Sequence, residues 1–158
     1  MAYRRIIFVG QTGVCREAMA AEIMREFLLE KPVEVLARGL VVLFPEPMNR
    51  KAEAVLIGNG IETQGFMATQ LRNDEIVPGT LVLVMESGQK ARVLENYSNA
   101  VESDVWVINE YVGDELEVID PYGGTLTAYG LCYETLRAII RKVIRKLNEA
   151  YLEEEGLA

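Results

Sequence analysis

Histidine is absent from the 158 residues and cysteine occurs twice, so any chemistry must come from Cys15, Cys132, carboxylates, arginines, tyrosines or backbone amides. That excludes Ser-His-Asp and Cys-His catalysis and leaves no zinc site. Carboxylate-only magnesium or calcium sites stay open, but no Asp-x-Asp-x-Asp-Gly loop is present. No metal and no cofactor are expected. The stretch with the right residue types is Gly10-Gln11-Thr12-Gly13-Val14-Cys15-Arg16. Its glycines permit positive φ and close backbone approach, and an arginine at its end can grip two oxygens of a phosphate-like group. It is not a Walker loop, which needs Gly-Lys-Ser/Thr after four residues, and it is not a GxGxxG turn.

Two elements must hold that loop. Arg4-Arg5-Ile6-Ile7-Phe8-Val9 is a short apolar, β-branched run, as in a buried strand. From Ala20, apolar residues at 20, 23, 24, 27 and 28 mark one face of a helix. Strand, glycine loop and helix N-terminus together make an anion site. Successive amides converge there, and the helix dipole adds roughly +0.5 charge. Gln11, Thr12, Gly13, Val14, Cys15 and Arg16 are the expected anion-binding residues.

The rest of the chain alternates strands and helices. Residues 33–38 read as a second strand, 49–58 as a helix stopped by Gly58-Asn59-Gly60, and 73–76 as a short helical turn. Residues 80–85 are apolar on both faces, as a central parallel strand should be. Residues 89–97 read as helix, 104–108 as a fourth strand, and 126–151 as a final helix with an apolar stripe at 132, 136, 139, 140, 143 and 147. Cys132, Trp106 and Tyr129 are expected in the core. This spacing predicts a single α/β domain over residues 1–158, a four-stranded parallel sheet with helices on both faces. Ligands of such sheets bind beyond the C-terminal strand ends. The loops after the first and fourth strands lie there.

The loop after the fourth strand contains Ile119-Asp120-Pro121-Tyr122-Gly123-Gly124. Pro121 favours an extended Asp120, which lets the carboxyl group project into a cleft. The same residues also suit a plain turn. Hydrophobic content of 50% with 25% charged residues is ordinary for a soluble globular protein. Net charge of −8 argues against a nucleic-acid backbone or an anionic membrane as partner. No apolar run approaches a membrane span, and Arg4-Arg5 leads into a strand rather than a signal-peptide core. Two cysteines far apart suit a reducing compartment, with one disulfide left open. A cytoplasmic protein is the expectation.

The 10–16 loop and the Asp-Pro-Tyr loop, in this order ahead of a long terminal helix, resemble the low-molecular-weight protein tyrosine phosphatase family. The similarity spans nearly the whole chain and implies that family's three-layer fold. The family's loop reads Cys, five residues, Arg, then Ser or Thr. Its arginine corresponds to Arg16 and its second cysteine to Cys15, so its nucleophilic cysteine falls on Gly10. The resemblance makes Asp120 the general acid, with Tyr122 flanking the substrate. Phe44, just before Pro45 in an apolar loop, is expected beside the cleft too. Asn109-Glu110-Tyr111, ahead of the Asp-Pro-Tyr-Gly-Gly stretch, resembles the bacterial branch, which includes protein-arginine phosphatases. Val14 is apolar and leans toward an aryl phosphate.

The departures sit in the first loop. The family thiolate attacks phosphorus while amides and arginine stabilise the equatorial oxygens; Gly10 cannot form that phosphoenzyme. Glu17 replaces the family's Ser or Thr, Gly13 replaces its loop asparagine, and Ala18 stands where Pro usually follows. Cys15 is read as a packed or redox-sensitive thiol, with a pKa lowered by the helix N-terminus and Arg16. It lies on the loop wall, off line for attack. Glu17 is read as a helix-stabilising carboxylate turned outward, with the alternative that it repels or replaces the external anion. Tyr122 is as readily cleft-lining as not. Three functions follow. The first is a phosphatase-like protein, catalytically impaired, that binds phosphate, another oxyanion or a phosphorylated protein. The second is an enzyme with altered chemistry through Arg16, Asp120 and either Cys15 or water. The third is a non-catalytic interaction module.

Overall fold

In the computed structural model, which describes residues 2–27, 29–63 and 65–157, a four-stranded parallel sheet runs in the order β2-β1-β3-β4. The strands are β1 (Arg5–Gly10), β2 (Glu34–Gly39), β3 (Thr80–Val84) and β4 (Val105–Val107). Between and after them come α1 (Arg16–Arg25), α2 (Arg50–Gly58), α3 (Ser87–Asn96), α4 (Ile108–Tyr111) and α5 (Leu126–Glu154). Short 3-10 turns occupy Asn73–Glu75 and Glu102–Asp104. The expected three-layer α/β architecture is the one found.

The period-2 geometry of a strand divides the core in two. Ile6, Phe8, Leu81, Leu83 and Met85 point to the side covered by α1, α2 and α5. Ile7, Val9, Val82, Val84, Val105 and Val107 point to the other side, against Val93 of α3. β1 and β3 are central and buried on both faces, so they read as unbroken apolar runs. Each such side chain contributes about 2 kcal/mol by burial. The stripe of α5 at Cys132, Leu136, Ile139, Ile140, Val143 and Leu147 is buried throughout, as expected. Tyr129 is fully buried.

Several boundaries differ from the sequence reading, two of them in ways that matter for the site and the core. α1 starts four residues before Ala20, at Arg16, and stops at Arg25. Ala20, Ile23 and Met24 of its expected stripe are buried, Phe27 packs against the core from beyond the helix, and Leu28 lies outside the described residues. The fourth strand covers three of the five expected residues, because Asp104 ends the preceding 3-10 turn and Ile108 already begins the four-residue α4. Both uses of Ile108 bury it, so its apolar character could not separate them. Trp106 is half-buried rather than core. Its ring packs edge-on to Tyr111, 5.9 Å between centroids, and carries Lys90 and Lys146 over its faces.

Candidate active site

The parallel register carries the C-terminal ends of β1, β3 and β4 to one edge of the sheet, and the loops that follow meet there. Gly10 closes β1 opposite Gly39 of β2. The Gly10 and Gln11 carbonyls accept from Leu40 N and Val41 N, both at 2.9 Å, and the Val14 carbonyl accepts from Asn49 N at 2.9 Å. These bonds fasten the outer side of the loop to residues 40–49. Gly13 has φ +80°, a conformation only glycine takes easily. A Cβ on Gly39 would come within 2.7 Å of the Thr12 carbonyl carbon, so a bare backbone there is what lets β2 abut the loop. Gln11 and Thr12 are exposed, and the Gln11 amide oxygen accepts from Arg92.

Inside the loop lies a side chain of the protein itself. Glu17, in the first turn of α1, is 3% exposed and points inward. Its Oε1 accepts from Cys15 N at 3.0 Å and its Oε2 from Gly13 N at 3.3 Å. A Cβ on Gly10 would stand 1.4 Å from Oε2 and 2.2 Å from the carboxyl carbon. Gly10 does not itself have positive φ; the carboxylate alone forbids a side chain there. The expectation of an outward Glu17 is therefore corrected. The void over Gly10, two loop amides and the helix dipole draw the carboxylate in. Burial pushes its pKa up, opposed by the backbone N–H groups that it accepts from and by Arg16.

Arg16 is 6% exposed, and both of its Nη nitrogens meet protein groups. Its Nη1 donates to the Val118 carbonyl at 2.7 Å. Its Nη2 donates to the Glu86 carboxylate and lies 3.6 Å from Asp120 Oδ2. The arginine expected to grip an external oxyanion thus ties together the loops after β1, β3 and β4. Asp120 lies beside Arg16 and lines the groove of the loop after β4. Its Oδ1 accepts from Tyr122 N at 3.0 Å, and half of its side chain is exposed. Glu86 is the residue that the sequence reading missed. It is the second residue past the end of β3, so the rule that ligand-handling groups follow the strand ends had a third loop to inspect.

Cys15 and Cys132 are both free and buried. The Cys15 thiol is pushed up to about 12 by burial first, then by Glu17, Cys132 and Asp120, against the weaker opposite pull of Arg16. The expected lowering is reversed, because burial outweighs the pull of Arg16 and the Glu17 charge adds to it. Cys132 is raised to about 11 by burial. Val14 is half-buried. Tyr122 and Phe44 are exposed, at 79% and 62%, on the loops after β4 and β2. Tyr122 lines a groove of about 510 Å³ with Leu116, Ile119, Asp120 and Leu131. Among the described residues, no group of three His, Cys, Asp or Glu side chains could hold a metal ion, and no helix is long and apolar enough to cross a membrane.

Residues 5–155 match the profile of the family described as low molecular weight phosphotyrosine protein phosphatase. A protein-arginine-phosphatase of Geobacillus stearothermophilus is 30% identical over 145 residues, which span 91% of this chain and 96% of that protein. The solved YwlE arginine phosphatase from the same organism superposes with a TM-score of 0.87 at 30% identity, covering 95% of this chain and 96% of that one. A low molecular weight protein tyrosine phosphatase from T. tengcongensis superposes with a TM-score of 0.83 at 31% identity, over 90% of this chain and 98% of that one.

Proposed function

The chain belongs to the low molecular weight phosphotyrosine protein phosphatase family, and we propose that within it this is a member that does not hydrolyse phosphate esters through a phosphoenzyme. One observation carries the reading. The base of the loop is Gly10, and the space its side chain would need is filled by the Glu17 carboxylate. No group there can attack phosphorus. Cys15 does not replace it, since a thiol with a pKa of about 12 and 9% exposure offers almost no thiolate at neutral pH. Asp120, at the general-acid position, is held by Arg16 and the Tyr122 amide, with no leaving group to protonate.

The ligand class proposed for the loop is a phosphate, another oxyanion or a phosphorylated protein side chain, received by the amides of residues 11–16 and by Arg16. The relatives include an arginine phosphatase and a tyrosine phosphatase at nearly equal identity. Val14, apolar on the loop wall, favours an aryl group. A second reading, an interaction module, is supported by the exposed Leu116, Ile119, Tyr122 and Leu131 beside Asp120. The test is turnover of p-nitrophenyl phosphate, phosphotyrosine and phosphoarginine. The expected rate equals the blank, and Cys15→Ser leaves it there. A clear rate that Cys15→Ser abolishes would overturn the reading in favour of altered chemistry through Cys15, Arg16 and Asp120.

A further inference from the structure

We propose that Glu17 is a built-in occupant of the anion loop, so that an external oxyanion enters only when this carboxylate leaves. The inference rests on the loop being the anion site of the proposed function and names how that site is controlled. Three features of the geometry support it. The Glu17 oxygens already accept from the amides of Gly13 and Cys15, which would otherwise face an incoming ion. Oε2 lies within 1.4 Å of where a side chain on Gly10 would begin, so the carboxylate fills the floor of the loop rather than its rim. The guanidinium at the loop's end is engaged by Val118 O, Glu86 and Asp120.

A carboxylate is a planar anion with two acceptor oxygens, which suits two converging N–H groups. Because it is tethered to the loop, it competes at an effective concentration of at least millimolar order. That matches or exceeds what a small free oxyanion with millimolar affinity can oppose. A dianion entering beside an ionised Glu17 would also meet like charge at close range in a buried site. Gly10 and Glu17 are thus two halves of one device. The glycine leaves the space and the glutamate fills it, and changing either should open the loop.

The probes are inorganic phosphate and orthovanadate, titrated while the amide resonances of Gly13 and Cys15 are followed. The intact chain should show no saturable shift at tens of millimolar at neutral pH. Glu17→Ser should show saturable shifts at both amides, with affinity at least tenfold higher. Glu17→Gln, which keeps shape but loses charge, should fall between them; it is the readout if the serine variant does not fold. Gly10→Ala, which expels the carboxylate from the other side with Glu17 retained, should also gain binding. Equal affinity in the intact chain and Glu17→Ser overturns the proposal, as does no saturable shift in a folded Glu17 variant. Turnover by the intact chain would instead sink the non-hydrolytic reading, so the two failures are distinguishable.

Discussion

The loop at residues 10–17 and the loop at residues 115–126 come from the same edge of one sheet, yet they meet solvent in opposite ways. The first is closed by its own side chain: Gly13, Cys15, Arg16 and Glu17 are all buried, and the Glu17 carboxylate occupies the centre. The second is open. Leu116, Ile119 and Tyr122 are 82%, 84% and 79% exposed around an apolar groove, and Asp120 is half in water. Arg16 joins the two, with one nitrogen on the Val118 carbonyl and the other between Glu86 and Asp120. Polar groups that would bind a small anion are satisfied from within, whereas apolar groups that would contact a larger body are left uncovered.

The strongest way to break the closed loop is from its floor. Gly10→Ala forces the new Cβ against Glu17 Oε2, and an overpacked site of this kind costs about 3 kcal/mol. In a Glu17→Ser background the same alanine should cost below about 1 kcal/mol, because the colliding group is gone. Urea unfolding of the four proteins in the cycle measures the coupling. Additive costs would mean that Glu17 can swing away freely, and the loop would not be closed in the sense described. The cycle also bears on placing a thiol at the loop's floor: Gly10→Cys alone meets the same carboxylate, whereas Gly10→Cys with Glu17→Ser does not.

Next in size is the reactivity of the buried thiol. With a pKa of about 12, Cys15 should resist iodoacetamide in the folded protein at pH 8 and react only on unfolding. In Glu17→Gln, loss of one raising charge should lower that pKa and speed alkylation. No change on removing the glutamate's charge would mean that burial alone sets the thiol. Mass spectrometry of the Cys15 peptide reads the outcome, with Cys132, raised to about 11, as an internal comparison.

What was legible in the sequence follows from how local each cause is. The β1 run, its mate at β3 and the α5 stripe are periodicities, and they are where the sequence put them. Bringing Asp120 to Arg16 follows from the rule about strand ends. The direction of Glu17 is of another kind. A first-turn carboxylate has an outward rotamer open to it, and what turns it inward is a void seven residues earlier in the chain, formed only when strand and helix pack. Gly10 and Glu17 each stood out as departures, but their pairing is a three-dimensional fact. Glu86 was missed because the loop after β3 lacks any unusual residue. The Cys15 pKa differs from the sequence reading chiefly because the thiol is buried, which no local motif shows, with the inward Glu17 charge adding to the rise.

A smaller effect tests the charge inside the closed loop. The Glu17 pKa is raised on folding, chiefly by burial. The folded chain therefore holds the Glu17 proton more tightly than the unfolded chain does. That contribution is fully present below the ordinary carboxyl value and is lost as pH rises through the raised folded value. The stability difference between the intact chain and Glu17→Gln should thus move in favour of the glutamine as pH rises from about 4.3, the unperturbed value. Urea midpoints over this range measure it. Movement toward the intact chain instead would show that the amide hydrogen bonds outweigh desolvation.

The smallest effect belongs to the open loop, and there the prediction is near silence. Ile119 and Leu131 are 84% and 65% exposed, so their side chains have buried little on folding. Ile119→Ser and Leu131→Ser should each change stability by less than about 0.5 kcal/mol, as surface substitutions away from buried networks do. The contrast with Gly10→Ala is then at least about sixfold. It comes from what surrounds each site: a buried carboxylate that must give up its two amide hydrogen bonds to make way in one case, water in the other. A loss above about 1 kcal/mol at Ile119 would mean that the groove is covered in solution, with its apolar residues already buried against something. The stability of Ile119→Ser should then depend on protein concentration if a second copy is the cover, because association stabilises by mass action. Independence of concentration together with a small cost would leave the groove open, as the closed loop beside it is not.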